Sequence, residues 1–570
     1  MPPPPRPDDD DPALAPPSAN APEEFPHPPE RVPDEPEGHT PGGPDTGGAA
    51  APSGAFARFL RGVEWLGNLL PHPVTLFALF ALAVVVVSGI AGAFGLAVED
   101  PRPAGSSGRA EDGMIRAISL VSGDGLRLIV ENLVTNFTGF VPLGTVLVAL
   151  LGVGVAEHSG MLTAAIRLLV QKAPARFMTL AVVFGGVVSN TASEMGYVVL
   201  IPLAAVIFHA LGRHPLAGMA AAFAGVSGGY SANLLIGTVD PLLAGITQEA
   251  AQLIDPGYEV HAAVNYYFMV ASTFLIAGVG TWVTHRFVEP QLGTYDPGQA
   301  SEKLPPPRMD PLTPTEIRGL KWAAVSVLVV VGLVALAVVP EGGALRNPET
   351  GDVLRSPFLR GIVALIFVFF LVPGVVYGWV TGSMKSDRDV VDGMAQSMST
   401  LGLYIVLVFF AAQFVAFFGW TNLGAILAVT GASGLEAAGL TGPLVFVPFI
   451  LMCCFVNLML GSASAQWAVT APIFVPMLML VGFSPEVIQA AYRSGDSTTN
   501  IITPMMSYFG LILAFIVKYD RKAGVGTVVA MMLPYTIFFL VGWIALFYVW
   551  VFALGLPVGP EAPTYYVPTP

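Results

Sequence analysis

Charge is what this sequence has least of. Only 12% of its 570 residues are Asp, Glu, Lys or Arg, while 54% are hydrophobic and the mean hydropathy is +0.67. Soluble domains carry about 25% charged residues, so the deficit points to a polytopic membrane protein. The formal net charge is -14, and no basic stripe is present, which excludes a nucleic-acid ligand. Cysteine is nearly missing: Cys453 and Cys454 are adjacent within an apolar run, so they pack as small hydrophobes and no disulfide framework exists. The eight histidines show neither HExxH nor CxxC spacing, so neither a transition metal nor another cofactor is expected. A membrane enzyme would need a nucleophile with a base beside it, and Ser462 and Ser464 have no neighbouring histidine.

What is present is long apolar sequence broken by small polar residues. The stretch from Gly461 reads GSASAQWAVTAPIFVP, and after one further apolar piece comes SGDSTTNIITP, ending at Pro504. The first half of the chain has counterparts in VVSNTASEMGYVVLIP (187–202) and GGYSANLLIGTVDP (228–241). Backbone at membrane depth must be hydrogen-bonded internally, so such breaks survive only where buried in protein or lining a cavity. Broken helices around a midplane site are the mark of secondary transporters.

Residues 1–55 are rich in Pro, Asp, Glu and Gly and hold almost no large apolar side chains, so they read as a disordered cytoplasmic tail. They have no early apolar core, and no signal peptide is expected. Residues 56–68, with Arg58 and Arg61, read as an amphipathic piece along the membrane surface. A first membrane half covers 56–285. It has apolar runs at 74–96 and 140–156, a polar loop at 99–125, an amphipathic piece at 126–137 and a basic connector at 161–176. A re-entrant hairpin at 177–211, an interrupted span around 217–246 and a full span at 261–284 complete it. A cytoplasmic linker, 286–321, leads into the second half, 322–555. That half has spans at 325–339, 358–380 and 401–418, a hairpin at 444–482, an interrupted span at 487–517 and a last span at 525–554. Residues 556–570 form a tail.

Lysine and arginine concentrate in the 286–321 linker and in the short loops 382–392 and 518–522, which places these inside. The 251–262 loop and the C-terminal tail lack both residues and should lie outside. The crossing count is then nine plus two hairpins, with the N-terminus cytoplasmic and the C-terminus external. Two loops assigned outside do carry arginines: Arg102, Arg109 and Arg116, then Arg346 and Arg355. The fold class is therefore an all-α polytopic membrane protein built as an inverted-topology repeat, with its site near the axis relating the halves.

The hairpin tips carry Ser189, Asn190 and Thr191 in one half, and Ser462 and Ser464 in the other. Their oxygens suit Na+, and the helix N-termini behind them suit a carboxylate. Asn190, Asn233, Asp496 and Asn500 are the candidate cation ligands. Glu194, Asp240, Arg493 and Asp496 are ionisable groups within or beside apolar sequence, which marks them as functional candidates. Arg493 is expected to pair with Asp496, three residues on, or to clamp a substrate carboxylate in two parallel hydrogen bonds. Trp467 is a candidate aromatic wall or a packing residue.

The segments GNLLPHPVTLFALFA, SNTASEMGYVVLIPLAAVIFHALGRHPLAGMAAAFAGVSGGYSANLLIGTVDPLLAGITQEAA and SASAQWAVTAPIFVPMLMLVGFSPEVIQAAYRSGDSTTNIITPMMSY resemble the p-aminobenzoyl-glutamate transporter (AbgT) family. The resemblance runs from about Arg58 to the last span. It implies a homodimeric inner-membrane transporter, similar to the elevator-type ion-transporter superfamily and coupled to Na+ or H+. It also implies uptake of p-aminobenzoyl-glutamate, or export of p-aminobenzoate or sulfonamide antimetabolites. Family positions fall on Glu194, Trp467, Pro485 and Arg493, which with Ser462 and Ser464 form the expected substrate set. Glu194 stands where the family usually has Asp, so its carboxylate reaches one methylene further. The alternatives are a Na+-coupled carrier of another dicarboxylate, a channel or a membrane enzyme.

Overall fold

The computed structural model describes residues 71–102, 109, 111–192, 196–301, 311–353 and 356–568. The expected tail, the 56–68 surface helix and Glu194 lie outside these residues.

Helix α1 (Pro73–Ala93) begins with proline at its first position, where the missing N–H costs nothing, and His72 accepts from the Val74 amide at 3.3 Å. Its Leu79, Leu82 and Val86 are 50 to 60% exposed, as residues facing lipid are. The polar loop expected at 99–125 holds a two-stranded antiparallel sheet, β1 (Ala97–Glu99) and β2 (Met114–Arg116), with Val98 opposite Ile115. Three residues per strand are too few for an alternating pattern to stand out in sequence.

Helices α2 (Gly123–Thr138) and α3 (Val141–His158) follow, and α4 (Met161–Gln171) is the basic connector. The chain then bends by 112° into Ala175–Ser189, which contains α5 (Met178–Ser189), the first arm of the first hairpin. The returning arm is a π-helical turn, Gly196–Leu200, running into α6 (Ile201–Ala210). The first interrupted span is α7 (Pro215–Phe223) with a π-helical turn, an irregular stretch, and α8 (Val239–Ala251). Helix α9 (Tyr266–Val283) closes the half.

The second half repeats that order after α10 (Pro314–Val338) and α11 (Ile362–Thr381). Helix α12 (Asp387–Ser399) occupies the segment read as a plain 382–392 loop. Ser386 caps it with Asp389 answering three residues on, a capping box in a polar helix with no span-like signal. Then come α13 (Gly402–Trp420), α14 (Leu423–Ala437), the hairpin arms α15 (Phe446–Leu460) and α16 (Ala463–Val481), α17 (Pro485–Thr499), α18 (Phe509–Tyr519) and α19 (Val525–Phe547).

Among the described residues nine helical segments are long and apolar enough to cross a membrane. Their number equals the expected count, but the members differ. Both arms of the second hairpin qualify by length, whereas the breaks leave each piece of the interrupted spans at 15 residues or fewer.

Packing is dense within two groups, and α3 links them by lying on α8. Helix α3 packs on α11 and α12, α10 packs on α11, and α1 packs on α13. The hairpins embrace the interrupted spans: α5 lies on the π-helical turn Ala224–Gly228 and on α9, α15 on α17, and α16 on α8 and α17. The two breaks meet, since the Ser231 amide donates to Ser497 Oγ at 3.1 Å and Ser227 Oγ to Met506 sulfur at 3.2 Å. Gly461, at φ +57°, turns the second tip, and a Cβ there would lie 2.7 Å from Met505 backbone, so tip and break touch. Every residue of α17 is buried, including Glu486, Gln489, Arg493 and Asp496. A helix this polar is not buried for its hydrophobicity.

Candidate functional site

A cavity of about 750 Å³ opens where both hairpin tips and both breaks face α3, α12 and α13. That volume lies within the usual range for small-molecule sites. The first tip contributes Asn190, the second Ser462 and Ser464, the first break Tyr230 and Thr238, the second Asn500 and Tyr508. Inverted repeats bring elements distant in sequence to one place in this way.

At the second tip, Ser462 is the N-cap of α16, its hydroxyl 3.5 Å from the Ala465 amide and 3.4 Å from Ser464 Oγ. The N-terminus of a 19-residue helix therefore opens on the cavity, with the positive end of its dipole and two hydroxyls suited to a carboxylate.

The aromatic surface is formed by tyrosines. Tyr197, on the returning arm of the first hairpin, stacks on Tyr508 with centroids 4.6 Å apart and planes 7° apart, and both line the cavity. Trp467 is elsewhere: fully buried, stacked on Tyr492 at 4.2 Å, its indole N–H donating to Thr247 Oγ1 at 2.9 Å. It lies one turn beyond Ser464, where α8 and α17 already cover α16. Periodicity alone does not say which turn of a helix meets the cavity.

Arg493 does not pair with Asp496. Its guanidinium donates to Asp240 Oδ1 at 2.6 Å, and both side chains are 4% exposed. The long arginine side chain reaches past its own helix to the first turn of α8, where the dipole favours a carboxylate. The other Asp240 oxygen accepts from the Gly237 amide at 2.7 Å. This buried pair joins the two halves directly behind Thr238 and Val239, which line the cavity.

Asp496 is left with both carboxylate oxygens buried and no hydrogen-bond partner among the described residues. The Tyr492 hydroxyl close by donates to the Ala463 carbonyl at 2.6 Å. Asn457 Nδ2, on α15, has two N–H groups to share among three acceptors, the Asp496 carbonyl at 2.7 Å, Asn500 Oδ1 at 2.8 Å and Thr499 Oγ1 at 3.0 Å, and among the described residues its own Oδ1 is buried without a donor. Buried oxygens without donors are costly to leave unmet, and oxygens are the donor atoms that hard cations prefer. Sequence reading missed Asn457, although an asparagine inside the apolar run 444–460 was the available signal.

The first half is more fully satisfied. Asn233 Oδ1 accepts from Thr191 Oγ1 at 3.0 Å and from the Leu234 and Leu235 amides at 2.8 and 3.3 Å. Asn190 donates to the Gly229 carbonyl at 3.4 Å and keeps its Oδ1 buried without a donor. Pro485 is the first residue of α17, at the end away from Asn500, about 20 Å off by helical rise. Of the residues singled out in the sequence, Asn190, Ser462, Ser464 and Asn500 line the cavity, while Asn233, Trp467, Pro485, Arg493 and Asp496 do not.

The facing wall adds Glu157 and His158 from the end of α3, Gln396 from α12 and Tyr404 from α13. His158 Nδ1 lies 3.0 Å from Gln396 Oε1. Adjacent ionisable residues closing an apolar run were visible in the sequence, but the wall is assembled only in three dimensions.

Residues 58–566 match the family described as "AbgT putative transporter family". The chain is 38% identical over 514 residues to the p-aminobenzoyl-glutamate transport protein of Escherichia coli (strain K12), covering 90% of this chain and 98% of that one. Its structure is similar to that of Neisseria gonorrhoeae MtrF, described as illuminating a class of antimetabolite efflux pumps, at TM-score 0.84 and 62% identity over 89% of this chain and all of that one. It is also similar to the YdaH transporter of Alcanivorax borkumensis, described as having an unusual topology, at TM-score 0.79 and 44% identity over 86% of this chain and all of that one.

Proposed function

The chain belongs to the AbgT transporter family, and from that premise we propose that it carries aromatic carboxylates of the p-aminobenzoyl-glutamate class across the inner membrane, coupled to Na+ or H+. The observation that carries this reading is the shared cavity, where stacked Tyr197 and Tyr508 offer a ring surface beside the hydroxyls and helix N-terminus at the Ser462 tip. An aromatic ring is held by its face, and a carboxylate by helix N–H groups and hydroxyls. The greater identity to a protein described among antimetabolite efflux pumps, 62% against 38% for the p-aminobenzoyl-glutamate transport protein, favours export of aromatic antimetabolites such as sulfonamides.

Asp496 and Asn457 supply the coupling-cation site, with Asn500 and the tip residue Asn190 beside the cavity as the passage to it. Arg493 takes a substrate carboxylate once Asp240 releases it, because guanidinium binds either carboxylate with the same geometry. In an elevator-like movement the body of hairpins and broken spans would travel against the wall of α3, α11, α12 and α13 in a dimer, sliding where α3 lies on α8. The Lys and Arg loops support a cytoplasmic N-terminus and an external C-terminus.

The test is flux of labelled p-aminobenzoyl-glutamate in proteoliposomes, with Na+ and pH gradients imposed in each direction. Saturable flux driven by one of the gradients is expected. Flux that neither saturates nor responds to either gradient would exclude a coupled carrier.

A further inference from the structure

The cavity lining brings together two chemically opposite groups. At the tip side, the N-terminus of α16 with Ser462 and Ser464 presents hydrogen-bond donors and the positive end of a helix dipole. At the wall side lies Glu157, the penultimate residue of α3, whose carboxylate is exposed to the cavity. It is the one acidic side chain among the described residues lining the cavity, and no Lys or Arg lines it there. Among the described residues it has no ion-pair or hydrogen-bond partner; its neighbour His158 is turned to Gln396 instead.

Nothing in the fold explains a carboxylate at this point. A negative charge in the last turn of a helix meets the negative end of the dipole, so Glu157 weakens the end of α3. It also repels any anion entering the cavity, unless that anion carries a hydrogen-bond donor away from its carboxylates.

We infer that Glu157 is the subsite for the aromatic amine of the substrate, accepting a hydrogen bond from the 4-amino group while the carboxylates lie toward the Ser462 tip. This rests on the aromatic-carboxylate reading above and gives it a polarity: donor end to the wall, acid end to the tip, ring against Tyr508. Such a cavity selects 4-amino compounds over the same molecules without the amine. A carboxylate facing an apolar C–H loses its water without gaining a partner, and that penalty falls on the des-amino analogue.

The experiment measures binding of p-aminobenzoyl-glutamate and benzoyl-glutamate to the purified full-length protein, in wild type, Glu157→Gln and Glu157→Asp, with thermal melts to verify folding. Wild type is expected to prefer the amino compound by roughly tenfold, the difference a charge-assisted hydrogen bond makes. Glu157→Gln should bring the two affinities to within about twofold, since a neutral amide both donates and accepts. Glu157→Asp, which keeps the charge but draws it back, should retain part of the preference and serves if Glu157→Gln does not fold. A preference unchanged in Glu157→Gln, or an equal loss for both compounds in either variant, would overturn the assignment while leaving the aromatic-carboxylate reading in place. Failure of wild type to bind either compound would sink that reading, and this one with it.

Discussion

The two interrupted spans occupy matching places in the two halves and do different work. In the first, the carboxylate and Asn233 are fully used within the protein, and the buried oxygens left over among the described residues, Ser231 Oγ and Asn190 Oδ1, carry no charge. Asn233 holds three hydrogen bonds, and Asp240 is shared between Gly237 and Arg493. In the second, among the described residues, Asp496 has two buried oxygens without donors, and Asn457 beside it has a third. Duplication of architecture thus need not duplicate chemistry: in the proposed reading the first break serves as a brace and the second as the receptor for the coupling ion. The Arg493–Asp240 pair is where brace and receptor are tied together.

The largest effect should come from cutting that tie. Asp240→Ala leaves a buried guanidinium unpaired, which costs about 3–5 kcal/mol, and a much lower melting temperature in detergent is the expected readout. Adding Arg493→Met should restore the melt but not transport. Transport recovered in the double variant would show that Arg493 only braces the fold.

Asp496→Asn is the next test, because it removes charge at nearly constant volume from a carboxylate that holds no hydrogen bond. Expression and melting should hold, while the dependence of flux on the coupling ion should be lost. If flux through this variant follows the Na+ or pH gradient as in wild type, the receptor half has been assigned wrongly.

Between the hairpins, a paired glycine experiment sharpens the contrast. Gly461→Ala places a Cβ 2.7 Å from Met505 backbone at φ +57°, a strain of about 1–3 kcal/mol at the second tip. Gly185→Ala in the first hairpin meets Val170 no closer than 3.4 Å, which is ordinary contact. Flux should fall clearly in the former and little in the latter, and equal losses would remove the difference between the hairpins.

The smallest expected change is in the brace itself. Thr191→Val deletes one of the three bonds to Asn233 at a cost of about 0.5–1.5 kcal/mol, seen as a modest drop in melting temperature with ion dependence unaltered. An altered ion dependence would move the first break into the receptor class.

Much of this arrangement was legible beforehand. The breaks at 187–202, 228–241, 461–466 and 494–504 stood out because Ser, Thr and Asn interrupt sequence that is otherwise apolar, and each falls at a real interruption or tip. The helix α12 and the strands at Ala97 and Met114 were passed over because polar or very short elements have no hydropathy signature. Trp467 drew attention by its place after the second tip, yet tyrosines on other elements supply the cavity's rings.

By itself the sequence determined that the chain is a helical membrane protein with two hairpins and two broken spans, because hydropathy and the need to satisfy backbone at membrane depth act locally. Its motifs were enough to identify the transporter family. Only the tertiary structure decided who pairs with whom. Arg493 takes Asp240, 253 positions away, over Asp496 three positions away; Tyr197 meets Tyr508; and Glu157 and the Ser462 tip line one cavity. Charge and ring contacts depend on distance in space, and packing two halves of the chain against each other sets those distances without regard to separation along it.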